Sequence, residues 1–493
     1  MKVMTFLLTG LKNNLDYNKK NILKSINKIY INGEFVTPHG TATFDLISPV
    51  SNQKTGEAIL GDQVDTQNAI AAAKEAFKTF SKTTKEERIG YLEKLRAIIG
   101  RREKDLTDIM VEEYGGTFQF CSMVSQNMVQ DINAMIDVLR DFDFVQTHGN
   151  SKVFLQPAGV VGIIIPWNMS NGFIVTKLAT AIAAGCTVVV KPSEMSTQQT
   201  QLMAECFHEA GLPKGVINFV NGLGDVVGAE MTRNTDISKI AFTGSTAVGK
   251  IIAKGAVDSM KRVTLELGGK SPNVILDDAN LQEAVPTAIF AAFLNSGQAC
   301  AAATRLLVPQ SKLGEVNTIV RAVVQNIKVG NPQDADTVVG SMISKKQYER
   351  VQDYIRIGQE EGATLLIGGL GKPLGLEDGN YVKATIFTNV KNSMRIAQEE
   401  IFGPVLVIIP YKDEQDAISI ANDTVYGLAA YVSSATKERA YRVASQIDAG
   451  RVCINGILHD SKAPFGGFKQ SGVGREYGIL GLEEYLEAKA ILE

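Results

Sequence analysis

The spacing of hydrophobic positions changes along this chain, and each change marks a different kind of element. The first ordered pattern is a pair of alternating runs, Ile29-Tyr30-Ile31 and Glu34-Phe35-Val36, on either side of Asn32-Gly33, which predicts a β-hairpin. From Thr66 to Arg140 the spacing is helical: Ile70, Ala73, Phe77 and Phe80 recur on one face, and Ile98–Tyr114 behaves likewise. Beyond residue 150 come short apolar runs, Val160–Ile165, Thr187–Val190, Val216–Val220 and Ile240–Phe242, each followed by a turn and an amphipathic segment. A second set begins near Leu267, with runs at Val274–Leu276, Leu306–Val308, Val405–Pro410 and Leu428–Val432. Strands alternating with helices predict parallel β-α-β units, here two unequal, doubly wound α/β lobes with a cleft between them. Val329–Pro332 and Gly368–Gly379 read as surface loops.

Composition narrows the function classes. With 493 residues, 45% hydrophobic and 21% charged, the chain can bury a large core and is not a disordered, collagenous or disulfide-scaffold protein. Charge is nearly balanced, at 50 Lys+Arg against 53 Asp+Glu, so the basic footprint of a nucleic-acid binder is missing. The cysteines (Cys121, Cys186, Cys206, Cys300, Cys453) are scattered and odd in number, and the four histidines lack metal-ligand spacing. That pattern points to a reducing, cytoplasmic setting and to no metal centre. No run reaches the roughly 18 apolar residues a membrane span requires. Residues 1–25, with a short apolar Val3–Leu8 and an Asn- and Lys-rich Lys12–Lys24, read as an extension rather than a signal peptide.

Two glycine clusters close predicted strands. Asn221-Gly222-Leu223-Gly224-Asp225-Val226-Val227-Gly228 is one residue longer than the dinucleotide fingerprint. Phe242-Thr243-Gly244-Ser245-Thr246-Ala247-Val248-Gly249-Lys250 opens a helix whose backbone N–H groups suit a phosphate. It is a near miss for an NTPase loop, because Ile251 stands where the magnesium-binding hydroxyl belongs. Either cluster alone is compatible with a tight turn, but two in one lobe favour a dinucleotide.

Three polar residues stand out from their surroundings. Cys300 ends the small, polar loop Asn295-Ser296-Gly297-Gln298-Ala299-Cys300, a setting that presents a thiol to a cleft. The other four cysteines sit in patterns typical of inert packing. Glu266 interrupts the apolar Val263–Leu267, where burial would raise its pKa and make it either a structural partner or a general base. Asn168, after Pro166 and Trp167, is either a turn residue or an amide donor for a developing oxyanion.

Taken in order, Pro166-Trp167-Asn168, Lys191-Pro192-Ser193-Glu194, Phe242–Thr246, Leu265–Lys270, Gly297–Cys300, Glu400-Ile401-Phe402-Gly403-Pro404 and Pro464–Gly467 resemble the aldehyde dehydrogenase superfamily. The likeness runs from about Tyr30 to the C-terminus. It implies oxidation of an aldehyde to an acid. Cys300 is the expected nucleophile, Asn168 and the Cys300 N–H the oxyanion donors, and Glu266 the base that activates the hydrolytic water. The resemblance further implies that Lys191 and Glu194 bind the adenosine ribose, Ser245 with Gly224 and Gly228 the pyrophosphate, and Glu400 with Phe402 and Gln347 the nicotinamide ribose. It adds Ile165, Pro166, Trp167, Ser193, Phe242, Gly244, Val248, Gly249 and Leu267 to the cofactor contacts. A carboxylate at Glu194 suits a ribose diol and repels a 2′-phosphate, which favours NAD over NADP. The alternative, a CoA-acylating semialdehyde dehydrogenase, is disfavoured by Glu266.

By the same resemblance the chain divides into an NAD-binding part (26–139 and 159–266), a catalytic part (267–474) and a β-arm (140–158 and 475–493) that assembles a homodimer or homotetramer. The tunnel positions Met169, Phe173, Thr176, Leu294, Ala299, Ala301, His459 and Phe465 are mostly apolar or small and imply a neutral aldehyde. One departure is Ser170, where relatives carry proline; its expected effect is a looser tunnel wall.

Overall fold

The computed structural model describes residues 23–492. Its largest sheet has the strand order Gly472–Val473, Arg262–Glu266, Lys239–Thr243, Val160–Ile164, Thr187–Lys191, Ile217–Phe219, Ile29–Ile31, Glu34–Val36. The five strands from Arg262–Glu266 to Ile217–Phe219 are mutually parallel. Alternate residues of these strands enter opposite cores. Val161, Ile163, Val188 and Val190 pack on one side, against the helices Lys85–Arg101, Phe118–Asp141 and Ser170–Ala184. Val160, Ile164, Val189 and Ile240 pack on the other, with Ile70 and Ala73 of the helix Gln63–Phe80 and Ile252 of the helix Thr246–Val257. Burial on both faces explains why these strands read as continuous apolar runs. The predicted hairpin forms at the sheet edge, and Asn32 and Gly33 both take positive φ (54° and 81°), as a two-residue turn between twisted strands requires.

A second, seven-stranded sheet has the order Thr364–Ile367, Thr385–Thr388, Val405–Tyr411, Arg305–Pro309, Pro272–Ile275, Ala429–Ser433, Arg451–Ile454, and only its first strand is antiparallel. Both its faces are also covered, so the fold is α/β with two doubly wound lobes. Arg305 opens the central strand and is fully buried. Its guanidinium donates to the carbonyls of Lys270 (2.9 Å), Ile420 (2.8 Å) and Ala421 (2.8 Å) and to Asn392 Oδ1 (3.1 Å). Arg305→Leu keeps the bulk and strands four acceptors, so unfolding in urea is expected to show a loss of about 3–5 kcal/mol.

Two small sheets complete the described residues. Val145–His148, Ser151–Pro157 and Leu486–Leu492 pair antiparallel. Lys24–Ile26 pairs with Lys54–Ile59, which in turn pairs with Thr43–Ile47. Within the extension expected over residues 1–25, this three-residue strand opens on a half-buried lysine and carries no hydrophobic signal. The remainder of that extension, residues 1–22, lies outside the described residues. The expected boundary at 474 falls just past the strand Gly472–Val473. Gly472–Val473 lies antiparallel to Leu265–Glu266 and extends the first sheet, although its stretch of sequence otherwise serves the second lobe.

Candidate active site

The parallel strands of the first lobe run in the chain order 5-4-1-2-3, so the strand order reverses between Val160–Ile164 and Lys239–Thr243. In doubly wound sheets a crevice forms at the carboxyl ends of the two strands flanking such a reversal. Ile165-Pro166-Trp167 leaves one of them and Gly244-Ser245 the other, while Lys191, Ser193 and Glu194 follow the next strand over. Ser245 caps the helix Thr246–Val257, accepting from the Val248 N–H at 3.3 Å, and Gly249 lies in that helix against Leu267. Gly224–Gly228 forms a single π-helical turn leading into Ala229–Arg233, with open space around Gly224. Lys191 Nζ meets the Glu194 carboxylate at 3.4 Å, and burial lowers the Lys191 pKa despite that carboxylate.

From the other lobe, three segments reach this crevice before entering their strands. Leu267–Lys270 precedes Pro272–Ile275, Asn295–Cys300 precedes Arg305–Pro309, and Glu400–Phe402 precedes Val405–Tyr411. The carboxyl ends of one sheet therefore meet the amino ends of the other. The first of these segments is pinched: a Cβ on Gly268 would stand 2.7 Å from Glu400 Oε2, and one on Gly269 would stand 2.5 Å from the Cys300 carbonyl oxygen. Glu400 also accepts the Gly269 N–H at 3.0 Å.

Cys300 sits behind three consecutive left-handed residues, Asn295, Ser296 and Gly297 (φ 51°, 58° and 74°). Side chains hold this costly backbone in place. The Asn295 amide donates to the Asn168 carbonyl (3.0 Å) and the Gln298 carbonyl (3.1 Å), Tyr114 Oη donates to Asn295 Oδ1 (3.2 Å), and Ser296 Oγ accepts the Gly340 N–H (2.8 Å). Asn168 Nδ2 donates to the Gln298 carbonyl at 2.9 Å, which leaves the second amide hydrogen for a ligand. Cys300 is the one of the five cysteines whose residue is only half-buried, the other four being buried. Burial of the thiol, then the carboxyls of Glu400 and Glu266, push its pKa up to about 12.

Glu266 ends the strand Arg262–Glu266, is 3% exposed, and neither carboxyl oxygen has a hydrogen-bond partner among the described residues. Burial and the neighbouring Glu476 raise its pKa well above the carboxylate range, against the opposing pull of Lys177. The ion pair between Lys177 and Glu476 is itself buried. Sequence reading missed both residues, because each falls in an unremarkable context and they meet only through folding.

Phe402, with positive φ (64°), stands edge-on to Trp167, ring centroids 5.6 Å apart. Gln347, expected to reach a ribose, is held by the loop beside it. Its amide donates to the carbonyls of Ile401 (3.2 Å) and Phe402 (2.8 Å), and Arg350 donates to the Ile401 carbonyl at 3.3 Å and the Glu400 carbonyl at 2.5 Å, so the helix Lys345–Glu360 clamps the Glu400–Phe402 loop. Beside this clamp lies a cavity of about 650 Å³ lined by Trp167, Met195, Gln347 and Arg350. Ser170 also departs from expectation. Its buried hydroxyl meets the Pro166 carbonyl at 2.7 Å and Ser196 Oγ at 2.8 Å, so the wall that loses a proline gains a side-chain tie.

The aldehyde dehydrogenase family model matches residues 35–491. The chain belongs to this family. Among relatives of known name, the 3-succinoylsemialdehyde-pyridine dehydrogenase of a Pseudomonas species is 44% identical over 472 residues, covering 95% of this chain and 99% of the relative. Among solved structures, a mutant of aldehyde dehydrogenase C from Pseudomonas syringae, crystallised with NAD+ and octanal, superposes with a TM-score of 0.94 at 41% identity, over 96% of this chain and 99% of that one. Betaine aldehyde dehydrogenase of Staphylococcus aureus, in complex with NAD+, gives 0.91 at 36% identity over 94% of both chains. Among the described residues, no helix is long and apolar enough to cross a membrane.

Proposed function

We propose that this chain oxidises an aldehyde to the carboxylic acid with NAD, through a covalent adduct on Cys300. The observation that carries the reading is the meeting of a half-buried cysteine, an Asn168 amide with one hydrogen to spare, and the unpaired Glu266 carboxyl at the seam between two doubly wound lobes. The residues present fit a dinucleotide. The start of the helix Thr246–Val257 offers N–H groups to a pyrophosphate, and Glu194 and Glu400 offer acceptors to ribose diols. The Lys191–Glu194 pair supports NAD over NADP, since the carboxylate opposes a 2′-phosphate.

In this reading Cys300 loses its proton and its sulfur attacks the carbonyl carbon. The oxyanion is received by Asn168 Nδ2 and the Cys300 N–H. What a bound NAD supplies is a hydride acceptor. Collapse of the adduct leaves an acyl thioester on Cys300, and Glu266 takes a proton from the water that cleaves it. A carboxyl at Glu266 supports hydrolysis over transfer to CoA.

Assays of NADH formation across an aldehyde panel, with and without CoA, test the proposal. CoA-independent turnover is expected, and a strict need for CoA would overturn the hydrolytic course. The raised pKa values of Glu266 and Cys300 give the sign of the pH dependence. Each group works in its deprotonated form, so kcat is expected to climb from neutral into moderately alkaline solution. A kcat that falls over that range would remove Glu266 as the base.

The division into cofactor, catalytic and arm regions supports the same reading. We assign the three-stranded arm to homodimer or homotetramer formation, on the ground that Val145, Ile491 and Leu492 stand exposed on its outer strands.

A further inference from the structure

A serine at the N-cap of a helix ordinarily accepts a hydrogen bond from an N–H of the first turn. Ser196 holds that position before the helix Thr197–Ala210 and makes no such bond. The N–H groups of Gln198 and Gln199 donate instead to the buried Glu113 carboxylate, at 2.7 and 2.9 Å. Glu113 thus fixes the start of this helix from the neighbouring helix Glu103–Tyr114. The Ser196 hydroxyl is left for another partner, and that partner is Ser170 Oγ at 2.8 Å. Both serines are fully buried.

Ser170 opens the helix Ser170–Ala184, whose N-cap residue, Met169, makes no side-chain cap bond. Ser170 Oγ donates back to the Pro166 carbonyl at 2.7 Å, which brackets Trp167, Asn168 and Met169. A hydroxyl carries one proton and a carbonyl only accepts, so in the contact between the serines Ser196 is the donor. The bonds therefore run in one direction, from Ser196 through Ser170 to the Pro166 carbonyl. Beside them the Asn171 amide and the Thr197 hydroxyl are buried and find no partner among the described residues, so they add no second tie. The backbone link between these segments comes earlier, at the strand ends, where the Ile165 N–H donates to the Lys191 carbonyl at 3.1 Å.

Asn168 lies inside this bracket. The Cys300 loop holds it from the other lobe, through the Asn295 amide on its carbonyl and its own Nδ2 on the Gln298 carbonyl. We infer that Ser170 and Ser196 are positioning residues for oxyanion stabilisation, holding the Pro166–Met169 segment from its own lobe so that the spare Asn168 amide hydrogen faces the oxyanion. This rests on the function proposed above. An oxyanion donor is effective to the extent that it is aligned before the charge develops. Two hydroxyls here supply the rigidity that a proline at position 170 gives by fixing φ.

The test measures kcat/KM for hexanal in the full-length enzyme, followed as NADH formation, together with the dissociation constant for NAD. Ser170→Ala and Ser196→Ala are each expected to lower kcat/KM about tenfold, short of the 10²–10³ that loss of an oxyanion donor costs. The two serine substitutions together are expected to cost no more than the worse of them alone, because either one breaks the same tie. On top of Asn168→Ala, either serine substitution is expected to change kcat/KM by less than about twofold, since the amide through which it acts is gone. Affinity for NAD is expected to hold within about twofold throughout. Parent-like kcat/KM in both single variants overturns the inference, and so does a tenfold loss that persists in the Asn168→Ala background. A fall in NAD affinity that matches the loss of kcat/KM also overturns it, by placing the pair in cofactor binding. If thermal unfolding shows one serine variant to be misfolded, the other decides by the same criteria. Failure of the parent to oxidise hexanal or any other aldehyde would instead count against the proposed function itself.

Discussion

Cys300→Ala is expected to lower aldehyde-dependent NADH formation by on the order of 10³-fold or more, with the unfolding midpoint little changed. The size of the effect follows from covalency: without the sulfur there is no tetrahedral adduct, and a free aldehyde is a poor hydride donor. Its selectivity follows from the surroundings. The loop is held by Asn295, Tyr114 and the Gly340 N–H rather than by the thiol, so the alanine variant keeps the geometry and loses only the chemistry. Dissociation constants for NAD, measured by fluorescence titration, should therefore match the parent. Cys453→Ala is the useful comparison, since Cys453 is buried in the strand Arg451–Ile454 and activity should survive its loss. Retention of parent-like activity by Cys300→Ala would end the nucleophile assignment.

Glu266→Gln carries the second large effect. A positioned general base contributes about 10²–10⁴-fold, and steady-state kcat is expected to fall within that range. Because the base acts after hydride release, a stopped-flow trace should still show a burst of NADH matching the enzyme concentration, followed by a slow phase limited by thioester hydrolysis. The rise of kcat with pH should flatten in the same variant. Stability should change little, because the native carboxyl makes no hydrogen bond that glutamine would break. A lost burst with unchanged NAD affinity would move Glu266 to an earlier step.

Much of this was legible without coordinates, for identifiable reasons. The hairpin at Asn32-Gly33, the helices between Gln63 and Asp141 and the parallel strands of both lobes depend on local periodicity and turn residues, and each formed where the pattern predicts. Gln347 and Ser170 were less legible. Residue type alone says that an amide can reach a ribose and that losing a proline loosens a loop. The first amide is taken up by the carbonyls of Ile401 and Phe402, and the loop regains its tether through Ser170 and Ser196.

By itself the sequence determined the kinds of chemistry available and their order along the chain: one thiol in a polar loop, a carboxyl in an apolar strand, an amide at a turn, and glycine-rich strand ends suited to phosphate. These are properties of short segments, and short segments are governed by residue type and spacing. Tertiary structure alone decided that the carboxyl ends of one sheet face the amino ends of the other. It also decided that Gly268 and Gly269 are squeezed between Glu400 and Cys300, that Glu266 is left without a partner, and that Lys177 is buried against Glu476. The physical reason is that desolvation and hydrogen bonding depend on which groups packing brings within a few ångströms. Lys177 and Glu476, far apart in the chain, show no relation until it does.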